Sequence, residues 1–301
     1  MDPKKALQSV VTVHASVPED GFTASALGTE RAGSGVVIRE GGLVLTIGYL
    51  ITEAETVMLT TPGNRVVPGH ALAYDQTTGF GLVQALGRLD MPALSLGDSG
   101  KAKRGDPVVF AGGMGQSVNA KVVAKQEFAG YWEYLLDEAI FTAPAHPSWG
   151  GAGLIAEDGT LLGIGSLRLQ MSGRDGPQDI NMAVPINLLP PILDDLLKLG
   201  RVNKPPRPWL GVFAADHNGK VVTINIDPRG PAAAAGMQQG DVIADVRNLH
   251  VESLADFYRK VWASGEAGTD IPIRIVRDGR EMWLRVKSAD RGDFLKKPLL
   301  Q

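Results

Sequence analysis

The fold class this sequence predicts is mostly β, with two small barrels in tandem followed by a smaller domain of strands and helices. Three observations carry the prediction. The 301 residues include 37 glycines and 19 prolines, the punctuation expected between many short strands. Strand-like runs recur along the first two thirds of the chain, and helical periodicity is confined to a few stretches. A connector at Lys204–Pro208 carries three prolines among basic residues and reads as a stiff spacer between domains.

Taken in order, Ser34–Ile38, Leu43–Ile47, Thr56–Leu59, Val66–Leu72 and Gly81–Ala85 make one barrel's worth of strands. Pro107–Ala111, Asn119–Gln126, Trp132–Phe141, Ala152–Ile155, Leu161–Leu167 and Ala183–Pro185 make a second. From Ile186 to Gly200 the pattern changes. Leu188, Leu189, Ile192, Leu193, Leu196 and Leu197 fall at helical spacing, with Gly200 where a helix stop belongs. Beyond the connector follow strands at Leu210–Ala214, Val221–Ile226, Val242–Val246, Ile271–Val276 and Met282–Val286, an alanine-rich stretch from Pro231 to Met237, and a helical segment Leu254–Trp262. The domain expectation is therefore residues 1–203 and 204–301.

Composition excludes several chemistries. A net charge of −3 without a basic block argues against nucleic acid and against an anionic membrane as partner. No cysteine is present, which rules out disulfides, thiolate catalysis and cysteine-ligated zinc. No histidine or acidic spacing of the metal-binding kind occurs, so no metal or other cofactor is expected. Val10–Val13, interrupted by His14, is too short for a leader's apolar core. With Met1 as the native start the chain is expected in the cytoplasm. With a leader already removed it is expected in the periplasm or otherwise exported.

Six stretches carry a resemblance. They are Gly33–Ile51 (GSGVVIREGGLVLTIGYLI), Asp75–Ala85 (DQTTGFGLVQA), Pro147–Ser166 (PSWGGAGLIAEDGTLLGIGS), Asn181–Val202 (NMAVPINLLPPILDDLLKLGRV), Pro208–Val212 (PWLGV) and Pro228–Ile243 (PRGPAAAAGMQQGDVI). In order and spacing they resemble the HtrA branch of the trypsin-like serine proteases, which implies two six-stranded trypsin-like barrels followed by a PDZ domain. Proteolysis in that family uses a serine nucleophile, a histidine base and an orienting aspartate. The resemblance puts Tyr49 in the histidine slot, Gly79 in the aspartate slot and Gly150 in the serine slot. The expectation is an inactive homologue, not an enzyme. Asp75 lies four residues too early to serve as the aspartate.

The alternative is a serine endopeptidase with Ser148 as an unconventional nucleophile, His146 being two residues away. Two residues of extended chain move a hydroxyl by about 7 Å, and attack requires roughly 3–3.5 Å. Trp149 either plugs the vacated cleft or anchors a bound peptide. His14, His70, His217 and His250 read as surface or turn residues.

What the resemblance implies beyond the triad is recognition of peptides or protein C-termini by the PDZ domain. Backbone amides of Trp209, Leu210, Gly211 and Val212 are expected to catch the carboxylate while the peptide adds as a strand. Leu254, Phe257, Tyr258 and Val261 either wall an apolar pocket or simply form the core. The turn Asn248–Val251 departs from the family's Asn-Gly. The expected role is a scaffold, chaperone-like or regulatory protein in protein quality control, as a homo-trimer or in mixed oligomers with active relatives.

Overall fold

The computed structural model describes residues 6–173 and 176–296. The chain gathers into two compact units. One takes the residues up to Gln126 together with Glu138–Asn203. The other takes Lys204–Phe294 and also Glu127–Asp137 from the middle of the chain.

The first unit holds two closed six-stranded barrels. Strands β1 (Val10–Ser16), β2 (Glu30–Arg39), β3 (Leu43–Ile47), β4 (Thr56–Thr60), β5 (Val66–Tyr74) and β6 (Phe80–Ala85) follow the order β1-β2-β3-β6-β5-β4. β1, which the sequence reading left out, closes the ring by pairing Val13 with both Gly33 and Leu59. Alternation along it buries Val11, Val13 and Ala15 and exposes His14, the pattern of a strand with one face on a core. A short helix α1 (Ala24–Leu27) lies between β1 and β2.

The second barrel is built from β7 (Pro107–Ala111), β8 (Ser117–Gly130), β9 (Tyr134–Ala143), β10 (Gly153–Ala156), β11 (Leu161–Gly173) and β12 (Gly176–Pro185), in the order β10-β11-β12-β9-β8-β7. Phe110, Val122, Ile140, Leu154 and Ala183 pack in its core. The helix expected from residue 186 begins later: α2 spans Pro190–Leu199. Two prolines at its first positions cannot donate into an earlier turn, so the helix starts at them. It stops at Gly200, whose φ of 68° supplies the left-handed cap.

The second unit is a sheet of β13 (Val212–His217), β14 (Lys220–Ile226), β15 (Val242–Val246), β17 (Asp270–Arg277) and β18 (Arg280–Lys287), with the short β16 (Leu249–His250) paired to β15. Helix α3 (Pro231–Ala234) is a single turn and α4 (Leu254–Trp262) is longer. Ser253 caps α4 by accepting from the Asp256 amide at 3.2 Å. Arg247 and Asn248 both take positive φ, 49° and 65°, so the turn that departs from Asn-Gly still makes a tight hairpin. The strand expected from Leu210 starts instead at Val212, because Gly211 turns the chain at φ 78°. Among the described residues no helix is long and apolar enough to cross a membrane.

Candidate functional site

Two places on the chain bring together residues singled out in the sequence. In the first unit, β3 ends at Ile47 and a 3-10 turn, Gly48–Leu50, raises Tyr49. Gly48 donates its amide to the Gly79 carbonyl at 2.7 Å. A Cβ on Gly48 would sit 2.0 Å from the Tyr74 ring, so this approach requires glycine. The Tyr49 hydroxyl donates to the Ser166 carbonyl at 3.0 Å and is bonded to the Trp149 side chain. Burial pushes the phenol above its ordinary range, which keeps it protonated and unable to act as a base near neutral pH.

Tyr49 meets Gly150 directly. A Cβ at residue 150 would lie 2.6 Å from the Tyr49 oxygen, so the phenol fills the space that a side chain at this position would take. Asp75 accepts from the Thr78 amide at 2.8 Å and from its hydroxyl at 2.7 Å, shaping a turn whose end is Gly79, with φ 83°. His146 is buried, stacked on Phe110 with ring centroids 6.0 Å apart. Its Nδ1 accepts the Ser148 amide at 3.0 Å, and the Gln116 backbone engages the ring as well. Burial holds this imidazole below its ordinary pKa, so it stays neutral. The structure thus joins His146 to Ser148 through the amide and leaves Ser148 itself exposed. Trp149 is half-buried against the second barrel's core.

In the second unit three consecutive amides converge on one carboxylate. Leu210 donates to Glu133 at 3.2 and 3.1 Å, Gly211 at 2.7 Å and Val212 at 3.0 Å. Gly211 makes this convergence possible, for a Cβ there would stand 3.1 Å from the Gly230 Cα and its φ is one that side chains rarely adopt. Glu133 sits at the tip of the turn between β8 and β9, at φ 58°. Its carboxylate is fully buried, and desolvation outweighs the three amides and pushes its pKa up to about 7. The Tyr258 hydroxyl accepts the Glu133 amide at 3.1 Å and donates to the Gly130 carbonyl at 2.8 Å.

Family models match both halves. The model for the trypsin-like peptidase domain matches residues 33–164, and the model for the PDZ domain matches residues 208–287. In this combination and order the chain resembles the HtrA-type proteases. A probable periplasmic serine endoprotease, DegP-like, of Halomonas elongata is 25% identical over 279 residues, covering 88% of this chain and 57% of its own length. The serine endoprotease DegS of Escherichia coli is 26% identical over 276 residues, covering 84% and 75%. This chain therefore spans little more than half of the DegP-like relative. Among solved structures, the HtrA-type protease AlgW with decapeptide superposes at a TM-score of 0.57 with 20% identity, covering 99% of this chain and all of that one. The serine endoprotease from Yersinia pestis does so at 0.56 with 21% identity, covering 96% and 98%.

These relatives correct one expectation. The reading of the chain as not an enzyme is overturned, because the relatives are named serine endoproteases and the peptidase model matches the barrels. The physical reason is that Tyr49, Gly79 and Gly150 say which positions cannot carry proton transfer or attack. They do not say that no other position does.

The carboxylate loop needs a second correction. Trp209 does not aim its amide with the others: it donates to the Ala289 carbonyl at 3.0 Å, and its ring packs edge-on against Phe294 at 4.9 Å. Leu254, Phe257, Tyr258 and Val261 all lie in the unit's apolar core, one helix face at spacing i, i+3, i+4 and i+7. Glu133, which sequence reasoning passed over, contacts residues 77 to 79 positions away. The signal available was a lone carboxylate among Phe128, Tyr131, Trp132 and Tyr134, an unusual density of aromatics for a strand turn.

Proposed function

We propose that this HtrA-type chain recognises peptides with free C-termini through its PDZ unit, as the regulatory part of a peptidase. The observation that carries the reading is the set of amides at Leu210, Gly211 and Val212, which meet on a single carboxylate. Backbone donors arranged in this way suit any terminal carboxylate, and β13 offers the strand edge along which the rest of a peptide can pair. Hydrogen bonds to a charged acceptor contribute about 1.5–3 kcal/mol, so amidating a peptide's terminus is expected to weaken binding about 10- to 100-fold. The test is a titration of the full chain with decapeptides ending in an apolar residue, as free acids and as amides. Equal affinity for both forms would sink the reading. Gly211→Pro, which removes a donor and forbids the positive φ, is expected to abolish binding.

A second reading, endopeptidase activity, is favoured by the relatives' names and by the exposed Ser148 beside His146. For attack, the Ser148 hydroxyl has to replace its own amide on the imidazole Nδ1. A fluorophosphonate probe that labels the full chain, with labelling lost in Ser148→Ala, supports this reading; labelling that persists in the variant, or none at all, overturns Ser148 as the nucleophile. Placement in the periplasm belongs to the same proposal, supported by the relatives that are named periplasmic; a trimeric or mixed oligomer and a role in protein quality control join it only as what the resemblance to the HtrA type implies.

A further inference from the structure

The PDZ unit's carboxylate loop already holds a carboxylate, and the segment that brings it offers the other features of a peptide ligand too. Tyr131 accepts the Ala214 amide at 2.9 Å, a main-chain bond of the kind an added strand makes to β13. Leu135 is buried in the same apolar cluster as Leu210, Val212, Leu254 and Val261, an apolar anchor beside the carboxylate. Arg259 on α4 closes over the stem, bonding Glu127 and Asp137 at 2.6 Å each. A carboxylate buried in an apolar unit is a poor structural fixture, since apolar groups of similar volume fill such places at no electrostatic cost.

We propose that the segment Gly130–Leu135 is an internal ligand of the PDZ unit, with Glu133 standing where a partner's C-terminal carboxylate binds. This rests on the reading of that loop as a C-terminus site. Being tethered, the segment is present at high effective concentration. A free peptide therefore competes only if it combines a terminal carboxylate with an apolar last side chain, the same two features the segment supplies. Binding of such a partner expels the β8–β9 turn, which gives the site a built-in threshold and makes release of the turn the readout of occupancy.

The test compares the full-length wild type with Glu133→Ala and Glu133→Gln. Two measurements are made: amide hydrogen exchange at residues 210–212, and titration with a decapeptide ending in leucine as free acid or amide. In Glu133→Ala the three amides are expected to lose protection, and the free-acid peptide to bind about 10- to 100-fold more tightly than to wild type because the competing occupant is gone. The peptide should restore the protection. Glu133→Gln, which keeps the shape and one acceptor, is expected to gain roughly three- to tenfold and serves if the alanine variant does not fold. Unchanged protection together with unchanged affinity overturns the internal ligand. Lost protection with no binding of either peptide form supports the internal ligand and overturns the C-terminus reading on which it was built.

Discussion

At Gly150 the room for a side chain is taken by the phenol of Tyr49; at Leu210–Val212 the room for a carboxylate is taken by Glu133. The two occupants differ in kind. Tyr49 is a packed side chain one turn past a barrel strand, and its hydroxyl finds a carbonyl and an indole within the same unit. Glu133 offers a carboxylate to three convergent amides, on a turn joined to the rest by hydrogen bonds and surface ion pairs. The first site tests packing alone. The second tests the proposal that a like group stands in for a ligand.

The sharpest way to break that comparison is to titrate Glu133. Its pKa in the folded chain is about 7, above the roughly 4.3 of a free glutamate, so the folded chain binds the extra proton. The stabilisation this represents is fully present below about pH 4.3 and is lost as pH rises through 7. A shift of this size corresponds to something on the order of 3 kcal/mol. Arg291 is the cation acting on Glu133. Thermal melts of wild type and Glu133→Gln at pH 5.5 and 8.5 are expected to show the wild type losing ground to the variant at the higher pH. A wild type that instead gains ground would mean that the amides, not burial, govern the carboxylate, and that Glu133 is held ionised.

The space at Gly150 gives a smaller and more local effect. With Tyr49 in place, Gly150→Ala is expected to cost about 1–3 kcal/mol, the usual range for overpacking. In a Tyr49→Phe background the nearest ring carbon would be 3.6 Å away, an ordinary contact, so most of that cost should vanish. Chemical denaturation of the two single variants and the double variant measures the coupling. Additive effects would show that Tyr49 is not what closes the space at Gly150.

How much of this could be read from the sequence follows the range of the forces involved. Barrel strands such as Leu43–Ile47 and Pro107–Ala111 emerged with their boundaries because turn residues bracket an apolar run. β1 was missed because Val10–Val13 holds three valines around the lone Thr12, and so short a run bracketed by no turn signal does not announce its period. The face Leu254, Phe257, Tyr258 and Val261 was legible as a helix stripe, while its division between core and pocket was not. The largest gap is Glu133. No local pattern ties it to Gly211, 78 residues on, and only packing in three dimensions brings a strand turn to these amides.

Two tyrosine hydroxyls provide the finest test of the same contrast. Tyr49 supports a filled space, and Tyr258 ties both ends of the Gly130–Glu133 turn, donating to one backbone group and accepting from another. Replacement by phenylalanine removes only the oxygen, so each variant is expected to lose about 1 kcal/mol, with Tyr258→Phe the larger because it strands a buried amide as well as a carbonyl. The more telling difference is where the loss is felt. If the turn is a ligand held in place, Tyr258→Phe should raise hydrogen exchange at residues 130–133 and, through Glu133, at 210–212. Tyr49→Phe should leave both sets unchanged while loosening only the neighbourhood of Ser166. Were Tyr258→Phe to lower the melting temperature with no change in exchange at 210–212, the turn and the loop would not be coupled, and Glu133 would be as much a fixture of its unit as Tyr49 is of the other.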